Sequence, residues 1–281
     1  MKLIYTASQV REAEKPYIEA ADYDGYLMQR AADAVAAEAQ DLLRGKDNAK
    51  ILLLIGPGNN GADTIYAGAR LSAKGHRVDA VIFDSSEKNL ELIAREGGEG
   101  TRVLDPEHTH EQLAGYDLTI DGILGTGSSG AVRGSAGEYL GVLRAAQLDG
   151  KLGAVLAVDT PSGVDNNRGT VHEPSLRADR TVTFIGHKLP AGTSHSVHSG
   201  DIKLYDLGVP EALNSHKPAL RVLDREDYRE LIEVPDEHSH KYTRGVLGML
   251  TGSLEYPGAA LMSVRAALNT GVGMVLSLIH I

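Results

Sequence analysis

The 281-residue sequence contains no cysteine. That absence excludes a disulfide framework, a thiolate zinc site and a cysteine nucleophile. Positive charge is scarce: 28 Lys and Arg stand against 38 Asp and Glu, a formal net charge of −10. An acidic surface repels the phosphates that a nucleic-acid binder must neutralise, so no nucleic acid is expected as the principal ligand. Long hydrophobic runs are missing as well. The strongest, Ile51–Ile55, falls far short of the ~20 residues a membrane span needs. The apolar stretch from Ala266 to Ile281 is interrupted by Asn269, Thr270 and two glycines. The first ten residues lack the basic-then-apolar layout of a signal peptide. A cytoplasmic protein with no membrane partner is the expectation. Gly-Lys-[Ser/Thr] is absent, which excludes a P-loop.

Glycine, by contrast, is abundant: 32 of 281 residues, against a usual share of ~7%. The excess clusters in short loops after apolar runs. Thr6 and Gln9 have the capping-box spacing and open a helix expected over Ser8–Ala20. A second helix is expected over Tyr26–Leu43, with Leu27, Ala31, Val35 and Leu42 at helical spacing. Ile51–Ile55 is apolar at every position, as a strand covered on both faces requires, and this points to a parallel sheet. Helix and strand then alternate: helix Asp63–Lys74, strand Val78–Phe83, helix Glu87–Arg95, strand Leu118–Leu124, helix Ala136–Gln147 and strand Leu152–Val158. Strands Thr181–Ile185 and Asp201–Leu207 follow. The pattern predicts a three-layer α/β/α Rossmann-like sandwich around a mostly parallel sheet. Residues 1–217 form this domain, residues 218–240 a charged, proline-punctuated linker, and residues 241–281 the start of a second segment.

Ligands of open α/β sheets sit at the carboxyl ends of the strands. Three loops are expected there: Gly56–Asp63, Gly125–Gly130 running on to Arg133 and Gly134, and Asp159–Gly163. The first two have the G-x-G-x-x-G spacing, which lets backbone N–H groups approach a phosphate at a helix N-terminus. A tight strand-to-helix turn explains either loop taken alone; two such loops after strands favour a ligand with several phosphates. Asn59, Asn60, Asp63, Asp121, Asp159 and Ser162 add oxygen ligands and carboxylates that can hold a hard cation and an acid/base group. Helix capping and loop hydrogen bonds are the structural alternatives for Asp63, Asp121 and Ser162. The pairs His108/His110, His195/His198 and His238/His240 read as solvated loop histidines, because none joins a second group at metal-ligand spacing.

Gly58-Asn-Asn-Gly-Ala-Asp63, Asp121-Gly-Ile-Leu-Gly-Thr-Gly127 with Val132-Arg-Gly134, and Val158-Asp-Thr-Pro-Ser-Gly-Val-Asp165 resemble the NAD(P)H-hydrate epimerases. Thr181–Phe184 with Lys188, and Tyr205–Gly208, extend the resemblance over residues 5–212. It implies isomerisation of the R and S hydrates of NADH or NADPH. It places the small-molecule substrate on Asn59, Asn60, Gly61, Ala62 and Asp63, and on Gly125, Thr126, Gly127, Ser128, Ser129, Gly130, Ala131 and Arg133. It makes Asp159 the acid/base in contact with the hydrated ring, sets Lys188 beside it, and puts a potassium ion on Asn60, Asp121 and Ser162. It also makes a homo-oligomer, usually a dimer, an expectation. Ala62 and Thr64 stand where the family has glycine, and their side chains are expected to crowd the phosphate approach.

Lys241-Tyr-Thr-Arg-Gly245, Gly252-Ser253, Tyr256-Pro-Gly-Ala-Ala260 and Gly271-Val-Gly273 resemble the start of the ADP-dependent NAD(P)H-hydrate dehydratases, which have a ribokinase-like α/β fold. The resemblance gives Ala259 a substrate contact and implies a bifunctional parent. Its ADP (or ATP) site and catalytic aspartate would lie beyond Ile281, so dehydratase activity is not expected of this chain. Two other functions compete for the first domain. A nicotinamide-dependent oxidoreductase would use both glycine loops but leaves Asn60 and Asp159 without a role. A non-catalytic binding module leaves the joint presence of Asn60, Asp63, Asp121, Asp159 and Lys188 without one.

Overall fold

The computed structural model describes residues 1–83, 87–97, 101–106, 110–127, 129–231 and 234–278. They fall into two compact units that divide after Leu223.

The first unit begins with strand β1 (Lys2–Tyr5) and helix α1 (Ala7–Ile18). The helix starts where the sequence signal sits: Thr6 Oγ1 accepts from Gln9 N–H at 3.1 Å, and Gln9 Oε1 accepts from Thr6 N–H at 2.9 Å. Helix α2 (Tyr26–Leu43) turns Leu27, Ala31, Val35 and Ala39 inward at i, i+4 spacing. The chain then alternates: β2 (Lys50–Ile55), α3 (Asn59–Ala73), β3 (Arg77–Ile82), α4 (Glu87–Glu96), β4 (Thr101–Val103), β5 (Leu118–Gly122), α5 (Gly134–Leu148) and β6 (Ala154–Val158). Strands β7 (Arg180–Phe184), β8 (His187–Lys188), β9 (Asp201–Tyr205) and β10 (Leu220–Val222) follow with short 3₁₀ turns between them.

Seven strands form one parallel sheet in the order β4-β3-β2-β5-β6-β7-β9. The pleat of β2 divides the core. Ile51, Leu53 and Ile55 join α1–α4 on one face, while Leu52 and Leu54 join Tyr139, Leu140 and Leu143 of α5 on the other. Since alternate strand side chains point to opposite faces, a strand apolar at every position must lie between two helical layers. The expected three-layer α/β/α Rossmann-like sandwich is the observed fold. Connectivity runs outward from β2 to β4 and then returns to β5 on the other side of β2. The loops after β2 and β5 therefore diverge, and the crevice between them is the topological switch point where open sheets bind ligands.

Several local features differ from the sequence expectation, among them the short strand β4, where the sequence pattern predicts no strand. Helix α3 starts at Asn59 rather than Asp63, because Gly58 takes an extended N-cap conformation (φ −94°, ψ −167°) and the two asparagines occupy the first turn, whose N–H groups need no intrahelical acceptor. Strand β5 ends at Gly122, two residues before the expected Leu124. Inside the stretch read as linker, β10 pairs antiparallel with β1, and β1 pairs parallel with β8, so a second sheet of order β10-β1-β8 closes on the first unit. Strands this short carry no readable periodicity. The other element boundaries shift by no more than two residues.

The second unit contains helix α6 (Arg225–Leu231), strand β11 (Val246–Leu250), helix α7 (Pro257–Asn269) and strand β12 (Met274–Leu278). Strands β11 and β12 pair in parallel, with Val246 opposite Met274, and α7 is their crossover. Leu250, Leu261, Met262 and Leu268 are exposed. No helix among the described residues is long and apolar enough to cross a membrane.

The approach of α3 to β2 depends on missing side chains. A Cβ on Gly61 would collide with the backbone carbonyl oxygen of Gly56, and one on Gly56 with that of Ile123. Helix propensity alone would make Gly61→Ala stabilising by about 1 kcal/mol. Overpacking against a backbone atom outweighs this, and a net loss of about 1–3 kcal/mol is expected from urea unfolding. A Cβ on Gly58 meets nothing within 4 Å. Gly58→Ala loses a favoured N-cap residue but meets no atom, and is expected to cost about 0.5–1 kcal/mol in the same measurement, less than Gly61→Ala.

Candidate functional site

The loops at the switch point border a cavity of about 720 Å³. Its walls include Gly58, Asn59, Asn60 and Asp63 from the start of α3, Ile123–Gly127 after β5, Asp159 after β6, and Lys188 on β8. Asn60 fastens three of these elements together: its Nδ2 donates to Leu124 O at 3.0 Å and to Val158 O at 2.5 Å. Gly125 has no side chain because Asn60 fills that space; a Cβ there would overlap the Asn60 amide. The glycines thus divide by role. Gly56, Gly61 and Gly125 permit close packing of protein on protein, whereas Gly58 and Gly127 leave backbone open beside the cavity.

Asp159 and Lys188 meet at the cavity wall as a buried ion pair, 5% and 4% exposed. Lys188 Nζ donates to Asp159 Oδ1, to Thr183 Oγ1 at 3.0 Å and to Phe184 O at 3.1 Å. Thr126 Oγ1 donates to Asp159 Oδ2, and Thr183 Oγ1 to Oδ1 at 3.2 Å. Burial alone would raise the Asp159 carboxyl, but the Lys188 charge and the hydrogen bonds from Lys188, Thr126 and Thr183 outweigh it and hold the group below the ordinary carboxylate range. Asp159 is therefore an anion at neutral pH. Its backbone is left-handed (φ +64°), as is that of nearby Ile185 (φ +65°), another cavity residue. A β-branched residue in that region is strained, and such strain gathers where the surrounding structure fixes a functional geometry. The register of β1 with β8, Tyr5 opposite Lys188, delivers the lysine.

Asp121 is fully buried and is not part of the cavity lining. Its oxygens accept from Ser162 N at 2.8 Å, Ser162 Oγ at 2.6 Å and Ile123 N at 3.3 Å, and Ser162 Oγ accepts from Leu124 N at 3.0 Å. Burial raises its carboxyl despite these bonds. Among the described residues no cationic side chain pairs with it. Asp121 and Ser162 bond each other, Asn60 carries a further amide oxygen, and Asp121 is a buried carboxylate without a cationic partner among the described residues; oxygen donors of this kind suit a hard monovalent cation.

Asn59, Asn60, Asp63, Gly125, Thr126, Gly127, Asp159 and Lys188 all line the cavity. Gly61, Ala62, Ser129, Gly130, Ala131 and Arg133 are not part of its lining. Ser128, like His108, lies outside the described residues. Ala62 and Thr64 do not crowd the cavity. The Ala62 methyl packs in the core, and Thr64 Oγ1 donates to Asn60 O at 2.7 Å in the space left by Gly122. Helix geometry turns both positions away from the face that Asn59 and Asp63 share at i, i+4 spacing. Ala259 is half-buried on α7 in the second unit.

Sequence reading missed Arg11, Glu14 and Tyr23, which also line the cavity. A signal for Glu14 existed: it lies in one i, i+4 row with Val10 and Ile18, so a carboxylate interrupts an apolar row, and all three residues line the cavity. Burial raises the Glu14 carboxyl, the Lys188 charge lowers it, and the Asp159 charge raises it again, leaving a net upward shift.

The sequence profile described as YjeF-related protein N-terminus matches residues 25–189. The "Bifunctional NAD(P)H-hydrate repair enzyme Nnr" of Mycobacterium tuberculosis is 32% identical over 98% of this chain, which spans only 55% of that protein. The "NAD(P)H-hydrate epimerase" of Microbacterium testaceum is 37% identical over 77% of this chain and 82% of its own length. The crystal structure of the yeast protein ynu0 shares the fold, with a TM-score of 0.59 and 20% identity, covering 72% of this chain and 86% of that one.

Removing one partner of a buried ion pair strands the other. Lys188→Met is expected to cost about 3–5 kcal/mol in urea unfolding. The Asp159→Asn/Lys188→Met double variant is expected to lose less than the sum of the single variants.

Proposed function

Because the chain belongs to the YjeF-related N-terminal family, we propose that its first unit is an isomerase that interconverts the R and S hydrates of NADH and NADPH. The observation that carries this reading is the ionised Asp159, held by Lys188 on the wall of a cavity that also receives the N-terminus of α3. The free N–H groups of that helix start and the open backbone at Gly58 and Gly127 are suited to the substrate's diphosphate, and the Arg11 guanidinium close to Gly127 adds positive charge at the same wall. The hydrated nicotinamide then reaches Asp159, which takes or returns a proton at the hydroxyl-bearing carbon's substituent. Lys188 keeps Asp159 ionised and oriented.

Potassium is the ion this reading assigns to Asn60, Asp121 and Ser162. A bound alkali cation offers weak Lewis acidity, so its contribution is to neutralise Asp121 and fix the loops after β2, β5 and β6. The protein's own residues supply the proton chemistry. A hydride-transfer enzyme would leave Asn60, which joins the loop after β5 to the end of β6, without a role in its chemistry. The chain spans 55% of the length of the Mycobacterium tuberculosis relative, and ADP or ATP is assigned no site within residues 241–281. Dehydratase activity is not proposed for this chain.

Purified R-hydrate supplied with an S-specific dehydratase tests the reading. This protein is expected to accelerate consumption of the R form, and Asp159→Asn to lose at least about 100-fold of that rate. Consumption no faster than in its absence removes the proposal. Replacing potassium by a bulky organic cation is expected to lower the rate of the parent more than that of Asp121→Asn.

A further inference from the structure

Asp63 differs from the other buried carboxylates of the first unit. Asp79 pairs with Arg102, Asp121 bonds Ser162, Asp159 pairs with Lys188, and Asp165 accepts from Asn167 and Arg168 N–H groups. Asp63 is 6% exposed and faces the cavity, yet among the described residues its carboxyl takes part in no hydrogen bond or ion pair. Its surroundings hold charge of its own sign. Glu14 lines the same cavity from α1 and Asp159 from the loop after β6. The basic groups there are engaged or remote: Lys188 is bound to Asp159, and Arg11 is directed toward Gly127. Tyr23 is the remaining titratable group of the lining. The N-terminus of α3 favours an anion, but Asp63 is the fifth helical residue, past the first turn where that effect acts. Burial, then the charges of Asp159 and Glu14, push the Asp63 carboxyl well above the ordinary range. Of the three carboxyl groups in the lining, Asp159 is held ionised by its lysine, Asp63 is buried without a counter-ion, and Glu14 is only half-buried; a lysine-held carboxylate beside an unpaired buried carboxyl is the arrangement by which enzymes divide acid from base.

Resting on the epimerase reading, we propose that Asp63 is a second catalytic carboxyl group, the proton donor to the hydroxyl group that leaves the hydrated nicotinamide ring. Water adds to an enamine at the carbon bonded to nitrogen, so the hydroxyl-bearing carbon is attached to the ring nitrogen. Asp63 gives its proton to the hydroxyl oxygen. The C–O bond breaks with its electron pair on oxygen, water is released, and the nitrogen lone pair forms the N=C bond. Water then adds to the opposite face, the N=C pair returns to nitrogen, and the proton lost by the adding water goes to Asp159. The cycle consumes no oxidant or reductant. It leaves Asp63 ionised and Asp159 protonated, which suits the reverse reaction, and exchange with solvent resets the pair.

Asp63→Asn keeps the size and a hydrogen-bond donor but has no acidic proton. Its kcat is expected to fall at least about 100-fold, with KM changed by no more than a few-fold. Asp63→Glu is expected to restore part of kcat. The kcat of the parent is expected to decline on the alkaline side as Asp63 loses its proton, and the residual activity of Asp63→Asn to lack that limb. A purely packing role would change stability and leave the limb in place. Carboxyl carbon NMR of the substrate-free protein gives a readout independent of turnover: one aspartate resonance titrating well above the others, and missing in Asp63→Asn. An active parent with an equally active Asp63→Asn overturns the assignment, as does an Asp63 resonance that titrates in the ordinary range. An inactive parent overturns the epimerase reading itself, and the donor role with it, while the NMR titration still decides whether Asp63 is protonated at neutral pH.

Discussion

The buried contact between Lys188 and Asp159 is the constraint around which the first unit is arranged. Two charges removed from water are costly unless each finds its full set of partners. Here the partners come from distant parts of the chain: Thr126 after β5, Thr183 and Phe184 on β7, and the lysine itself on β8. The β10-β1-β8 sheet exists at the place where the lysine must be held. The left-handed backbone at Asp159 lies at the same place, directly after β6.

The site follows from sheet topology as much as from its residues. A parallel sheet wound outward from β2 and then resumed at β5 leaves a crevice at the reversal, and Asn60, Asp63, Thr126 and Asp159 line it. Asn60 closes that crevice from behind by bonding the carbonyls that end β6 and follow β5. The packing glycines allow this closure, since each replaces a side chain that would meet backbone or the Asn60 amide. The motif that resembles a phosphate loop is therefore largely a device for bringing α3, β2 and the loop after β5 into contact, while Gly58 and Gly127 leave backbone open beside the cavity.

Carboxylates are distributed unevenly around this crevice. Asp159 has a cation, Asp121 has hydrogen bonds without a cation, and Asp63 has neither. The same residue type thus carries three different charge tendencies close together. Sequence cannot distinguish them, because an aspartate's protonation follows its solvation and its neighbours.

Much of the fold is legible in the amino-acid sequence. The uniform apolarity of Ile51–Ile55 requires two helical layers, the Thr6/Gln9 box marks the start of α1, and Leu27, Ala31 and Val35 mark the inward row of α2. These are local signals, set by pleat and helix periods acting on neighbouring residues. The cavity residues Asn59, Asn60, Asp63, Thr126, Asp159 and Lys188 are legible too, through the motifs that contain them. What tertiary structure decided was the partnership between segments remote in sequence. It added Arg11 and Glu14 from α1 to the site, turned Ala62 and Thr64 away from it, drew β10 out of the apparent linker, and left Asp63 without a counter-ion. Spacing along a chain fixes which face a residue presents; only the assembled sheet fixes which charge that face meets.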